Sequence, residues 1–362
     1  MHFLTYFLVP QLVSALTISQ RDDRNRAAYF LDSNPSGASI VSLKINLQDG
    51  TLSDPIRIPT GGKGLQGLTA SATPGGAPAP GGGDPFFSQD SVLVSEDYLF
   101  TLNSGSNTVS MFFIDKNNPW TPTLINTTPS LGEFPVSVAY SSKLKTACVL
   151  NGGAVAGVAC FSTDHKTGLT PLGSLRPLPL NQTTPPLGPP GTASDIVFSP
   201  SSTFLLITIK GNAPTPGLIY IYPTISSNLV STTPIISSPT DLAVDFGVSF
   251  LGSDTRALVA DPSYGASIIS ISPSSFAVTV EKKIPVPNQA AICWSAFSSR
   301  FNSVFLMDGG HSNITIVDPA SGAIKGVLGE SVAGMGSFDS AVDRQFIYTL
   351  KGSANHRFPS SS

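Results

Sequence analysis

Residues Leu150 to Phe161 read LNGGAVAGVACF: an apolar run ends, a Gly-rich turn follows, and a second apolar run begins. Apolar and β-branched residues around a cluster able to take positive φ spell strand, turn, strand. The same pattern returns as LDSNPSGASIVSL from Leu31, LNSGSNTVSMFF from Leu102, IKGNAPTPGLIYIY from Ile209, ADPSYGASIISI from Ala260, MDGGHSNITIV from Met307 and a shorter LKGSANH from Leu350. Successive copies lie about 45–60 residues apart, the period of a β-propeller blade. The spacing predicts an all-β, seven-bladed β-propeller of four-stranded antiparallel blades, with the last blade incomplete.

Composition agrees with many short strands joined by turns. Of 362 residues only 12% are charged, while Gly and Pro number 33 and 31, and repeat architectures of this length form one unit. A single domain is expected over residues 16–355. A net charge of −3 leaves no basic stripe for nucleic acid. The apolar stretch Phe3 to Val13, followed by Val13-Ser14-Ala15, reads as a secretory signal cleaved after Ala15. It is too short to span a bilayer, and no later apolar run is long enough. A secreted, extracellular or cell-wall destination is therefore expected, with a monomer as the simplest state and residues 356–362 as a disordered tail.

That destination gives meaning to other residues. Asn126, Asn181 and Asn313 each open an N-x-T sequon, an N-glycosylation acceptor only in the secretory pathway. Cys148 and Cys160 lie on opposite arms of the third hairpin, nearly equidistant from its turn, so that a cross-strand disulfide is within reach in an oxidising compartment. Cys293 reads as a buried free thiol.

Inner strands are expected near Ser91 to Ser95, Val136 to Tyr140, Ile196 to Ser199, Leu242 to Phe246, Ala291 to Ala296 and Ser337 to Val342. The first repeat lacks an evident innermost strand. Gly61 to Asp84, including GGAPAPGGGDP, reads as an exposed insert, and Pro171 to Pro190 as a connection outside the sheets. The last repeat stops early: either the ring closes imperfectly or the polar tail marks a truncated gene product.

The segments TGGKGLQGL from Thr60, SQDSVLVSEDYLFTLNSGSNTVSMFFID from Ser88 and GEFPVSVAYSSKLKTACVLNGG from Gly132 resemble the secreted fungal branch of the seven-bladed lactonase propellers. That family includes proteins similar to 3-carboxy-cis,cis-muconate cyclase and, more distantly, 6-phosphogluconolactonase. The resemblance implies lactone closing or opening at one mouth of the channel, a cycloisomerase or lactonase activity, by a histidine and a carboxylate with arginines holding an acidic substrate. Here Phe134-Pro135-Val136 and Ala193-Ser194-Asp195 stand where the family has an inner-strand histidine. The four histidines are His2, His165, His311 and His356, none of them at an inner strand.

What the repeats do supply is acid. Asp90, Asp195, Asp241 and Asp339 stand at the start of four predicted inner strands, so that they would converge at the channel mouth, with Asp90 and Asp195 the candidates for acid–base work. Converging carboxylates raise one another's pKa or hold a divalent cation; no other cofactor is required. The plainer reading is Asx turns between blades. Lys210 and Arg256 are the candidate anion contacts, against a solvated turn lysine as the common case. Trp294 is expected to pack between blades or, as in a carbohydrate-binding propeller, against a sugar. Gly62 to Gly67 matches G-x-G-x-x-G without the following helix a dinucleotide needs. Three readings of function remain: a lactonase- or muconate-cyclase-like enzyme for a lactone or carboxylate, a non-catalytic extracellular glycoprotein, and a carbohydrate-binding propeller.

Overall fold

A computed structural model describes residues 13–18, 25–71, 75–212, 214–225, 229–343 and 345–353. Its described residues form no helix. Seven antiparallel sheets follow one another along the chain. In the third, Pro135–Ser141 pairs with Thr146–Asn151, which pairs with Gly157–Asp164, which pairs with Gly168–Pro171. Blade faces pack against both neighbours, so middle strands are buried on both sides and lose the usual alternation. Thr146–Asn151 and Phe204–Ile209 are buried at every residue. Outer strands keep a wet face, as Val278–Pro285 does.

Inner strands run at Val13–Ile18, Val92–Ser95, Pro135–Ser141, Ala193–Phe198, Val248–Ser253, Ile292–Ser298 and Met335–Val342. Two expectations are corrected. The first blade does have an innermost strand, Val13–Ile18, paired with Ala27–Asp32; the expected cleavage point after Ala15 falls inside it, whereas the rest of the expected signal and the tail 356–362 lie outside the described residues. The inner strand of blade five is Val248–Ser253, and Leu242 to Phe246 is irregular. The amides of Ala243 and Val244 donate to the Asp261 carboxylate at 2.8 and 3.0 Å instead of joining a ladder, while Leu242 and Phe246 are buried. An apolar run can be buried as a loop when a side chain takes its amides.

The Gly/Pro-rich insert is exposed only in part. Gly64, Gly67 and Gly81 are buried, and Leu68–Thr69 runs parallel to Leu187–Gly188 of the Pro-rich connection, with Ala79–Pro80 as a third short strand. Blade seven has two described strands, Met335–Val342 and Ile347–Ser353. Among the described residues, no strand is lent across the join. The ring closes through one apolar core that includes Leu16, Ile18 and Phe30 of blade one with Phe338, Tyr348 and Leu350 of blade seven. A buried ion pair crosses the same seam: Arg26 Nη1 donates to both carboxylate oxygens of Asp343, at 2.7 and 2.6 Å.

Candidate functional site

The segment Asp84 to Asp90 crosses one end of the propeller channel. Phe86 and Phe87 start it and are 1% and 3% exposed. Phe86 meets Phe134 edge-on, while the Phe87 ring fills the space beside Gly67 and Gly188, where an added Cβ would lie 2.4 and 2.7 Å from it. Phe87 and Asp90 hold φ of 56° and 59°, a conformation kept only where the surroundings fix it. The segment is a plug, and its fixings come from three blades. Ser88 Oγ donates to Val136 O at 2.7 Å, Trp294 Nε1 donates to Ser88 O at 3.0 Å, and Gln89 N donates to Ser194 O at 3.1 Å.

Lys210 ties the plug down. It is buried, and its Nζ donates to Phe87 O, Ala193 O, Thr192 Oγ1 and Ser194 Oγ, 4.3 Å from the Phe246 ring centroid. Burial lowers its pKa to about 7, opposed by the nearby charge of Asp84. Burial likewise raises Asp84 to about 7, opposed by Lys210 and by amides of the plug. The expectation of a solvated turn lysine or an anion contact is thereby corrected: every hydrogen of the ammonium is occupied by protein.

Beyond the plug the channel opens into a cavity of about 500 Å³ whose floor is Gln89 and Asp90. Its walls are inner strands of blades one, two, five, six and seven, with Thr17, Ser249, Ser295 and Ser340 as hydroxyls, Asp90 and Glu96 as acids, and no Lys, Arg or His among the described lining residues.

Three of the four expected acids meet at the channel neck. Asp195 is fully buried; its Oδ1 accepts from Ile196 N at 2.8 Å and Ser137 Oγ at 3.1 Å, and its Oδ2 accepts from Val248 N at 2.8 Å and Gln89 Nε2 at 3.3 Å. Asp339 accepts from Ser340 N at 2.7 Å and from Asp90 N at 3.3 Å. Asp90 is half-buried and lines the cavity. Burial raises its carboxyl to about 7. Asp195 and Asp339 are pushed well above the carboxylate range by burial first and then by the charge of Asp90. Acids this close titrate as one set, holding protons at neutral pH. Among the described residues, no group of three His, Cys, Asp or Glu side chains is arranged to hold a metal ion.

Asp241 does not belong to the cluster. It sits on an exposed turn, because the strand it was expected to start lies further along the chain. Arg256 is also far from the channel in role: its Nε and Nη2 donate to the two Glu281 oxygens at 2.8 and 2.7 Å, and Nη1 and Nη2 reach Pro319 O and Ala320 O of blade six. Cys148 and Cys160 are joined as a disulfide at directly paired positions of their hairpin. Cys293 is a buried free thiol, and burial pushes its pKa well up. Trp294 packs edge-on between Phe246 and Phe338.

The three sequons differ in access. Asn126 uses both ends of its amide on blade three: Nδ2 donates to Leu169 O at 3.1 Å and Oδ1 accepts from Leu169 N at 3.0 Å. Asn181 is exposed and Asn313 half-exposed. His165 lies against Phe113, and His311 Nδ1 lies 3.4 Å from Ser331 Oγ, both outside the channel. The G-x-G-x-x-G loop packs on blades one and two, Gly64 so tightly that a Cβ would lie 1.9 Å from Ser33 O.

Gln89 is the residue that sequence reasoning missed. Its side chain spans the channel, donating to Asp195 and to Val248 O at 3.2 Å while its Oε1 accepts from Ser295 N at 3.0 Å. The signal was the block Pro85-Phe-Phe-Ser-Gln89 directly before an inner strand, without counterpart in the other repeats.

No protein-family model matches this chain, and no curated protein does. Solved structures do. A putative 6-phosphogluconolactonase from Bacteroides uniformis superposes with a TM-score of 0.60 at 10% identity, over 89% of this chain and 85% of that one. The periplasmic gluconolactonase PpgL of Pseudomonas aeruginosa gives 0.58 at 14%, over 88% and 85%. Hydrazine synthase of Kuenenia stuttgartiensis gives 0.59 at 14%, over 95% and 94%. Identities this low show the fold alone: a multi-bladed propeller of the kind found in gluconolactonases, and in an enzyme of quite different name.

Proposed function

We propose that this chain takes a small, uncharged, hydroxyl-rich molecule into the blind channel and opens a lactone ring there, with Asp90 as the base. The carrying observation is the cavity itself: Asp90 is the one member of the acid cluster that lines it, and the Gln89 amide, hydroxyls and a second acid, Glu96, make up its other described polar side chains. In the reaction, water adds to the lactone carbonyl as Asp90 takes its proton; the ring C–O bond then breaks and the departing oxygen receives that proton. An acidic substrate of the muconate kind would want guanidinium partners, and the described lining offers it carboxylates. The propeller shared with gluconolactonases supports a lactone as the substrate class, and the Cys148–Cys160 disulfide supports an oxidising, extracellular destination.

A second reading has one observation in its favour. Asp195 and Asp339 are taken up by backbone amides, so that a single acid of the cluster remains for chemistry and the channel would then bind without turnover. Hydrolysis of neutral aldonolactones and of their acidic counterparts, measured on the wild type and Asp90→Asn, separates the two. Turnover of the neutral lactone that falls by about a hundredfold or more in Asp90→Asn supports the enzyme. Saturable binding with no turnover leaves the binding protein, and preference for the acidic lactone would overturn both.

A further inference from the structure

Blades three and four are separated by a groove of about 500 Å³, distinct from the channel and lined by Pro171, Leu172, Arg176, Ile225, Leu229 and Val230 among others. Ile225 and Leu229 leave 47% and 42% of their surface exposed. Arg176, in contrast, is only 7% exposed. Its Nε donates to Ser231 O at 2.9 Å and its Nη2 to Val230 O at 2.8 Å, while Nη1 is sealed from solvent with no hydrogen-bond partner. No carboxylate pairs with this guanidinium among the described residues. A guanidinium cannot shed its charge as a buried lysine does, and a buried charge without a counter-ion is strongly unfavourable. An apolar wall beside an unmatched cation is complementary to one kind of occupant.

We propose that the groove binds a small amphipathic carboxylate, an alkanoate or arylalkanoate, whose head supplies the missing counter-charge to Arg176 and whose apolar body covers Leu172, Ile225 and Leu229. The volume lies within the range of about 300–1,000 Å³ usual for small-molecule sites. Because Nε and Nη2 are already given to Ser231 O and Val230 O, the carboxylate head would meet the cation through its charge rather than through a two-bond fork. A phosphate would bring a second charge that the apolar lining leaves unpaired. Cys160 lines the same groove and is bonded to Cys148, so one wall is covalently held before a ligand arrives.

The test titrates linear alkanoates from butanoate to dodecanoate, with the matched alcohols and alkylamines, into the full chain and follows heat and thermal midpoint. Saturable binding is expected for carboxylates of intermediate length, with alcohols and amines weaker by at least about tenfold. Arg176→Met, which keeps the stem and removes the charge, should lose at least about tenfold in carboxylate affinity while still melting cooperatively without ligand, lower than the wild type only by the two hydrogen bonds to Ser231 O and Val230 O that it gives up. No binding by any alkanoate, equal binding by the alcohols, or unchanged affinity in Arg176→Met would overturn the site. Should Arg176→Met not fold, Leu229→Glu puts a carboxylate on the exposed wall; it should melt cooperatively and exclude alkanoates, and retained binding in that variant would equally sink the proposal.

Discussion

Replacing Asp90 by Asn tests the acid cluster through stability as well as through chemistry. Asn tolerates the left-handed backbone that Asp90 occupies at φ 59°, so the exchange removes the charge without asking the chain to move. An unfolded Asp titrates near 3.9, and burial raises the folded one to about 7. Between those two values the folded chain holds a proton that the unfolded chain has released. Wild-type stability therefore falls as pH rises through that window, and the full penalty of the charged form is present above about pH 7. The whole displacement would correspond to about 4 kcal/mol. Because Asp90 faces the channel, solvent reduces it to about 1–2 kcal/mol. Asp90→Asn should melt with the wild type near pH 4 and about 2–4 °C above it at pH 8, read by scanning calorimetry at matched ionic strength. A pH-independent difference, or a variant that melts below the wild type at pH 8, would refute the shared-proton account of the cluster. Lactone turnover by the wild type should rise across the same window, since the base must be ionised.

Four further outcomes are expected. Changing Cys148 and Cys160 to Ala opens a crosslink of sequence separation 12 and should lower stability by about 3 kcal/mol, which an unchanged urea midpoint would contradict. Lys210→Met unties the plug and should cost about 1–3 kcal/mol; because the folded pKa of Lys210 is lowered to about 7, wild-type stability gains with pH above that value, so the deficit should widen from pH 6 to pH 9, and a narrowing deficit would be incompatible with the assignment. Peptide mapping after glycosidase treatment of protein from a eukaryotic secretory host should find carbohydrate at Asn181 and Asn313 and none at Asn126, whose amide is engaged on Leu169. Asp241→Asn and Arg256→Ala should leave channel binding unchanged, with Arg256→Ala losing about 1 kcal/mol or less for its half-exposed pair; altered ligand affinity in either would reopen the placement of the site.

The propeller was legible because its signal is periodic. Seven hairpins each carry their own turn chemistry, and a strand that pairs with its sequence neighbour needs no long-range information. The inner strands of blades one and five were the exceptions for two physical reasons. Val13–Ile18 overlaps a run apolar enough to read as a signal, and Leu242 to Phe246 is an apolar stretch whose amides are taken by Asp261, a contact over 17 residues that local pattern does not carry. The convergence of Asp90, Asp195 and Asp339 followed from repeat symmetry alone. What symmetry could not convey was the plug: Gln89 acts on blades other than its own, Lys210 joins its own blade's inner strand to the distant Phe87 carbonyl, and their partners are largely backbone carbonyls and amides, which leave no trace in composition.

Charge along the axis then constrains the ligand more than the fold does. Asp84, Asp90, Asp195 and Asp339 surround the plug and channel neck, with Lys210 the one cation acting on them among the described residues. Lys210 is used up on the plug, so the acids meet their mutual repulsion by holding protons. A ligand that brings another carboxylate would raise their affinity for protons further and bind against that cost. A ligand that brings hydroxyl donors does the reverse: each hydrogen bond to Asp90 favours its ionised form, which is also the form that can act as a base. On the proposed reading, recognition of a neutral polyol lactone and activation of Asp90 would thus be the same interaction, which is why the shortage of cations in the described lining argues against an acidic substrate without arguing against catalysis.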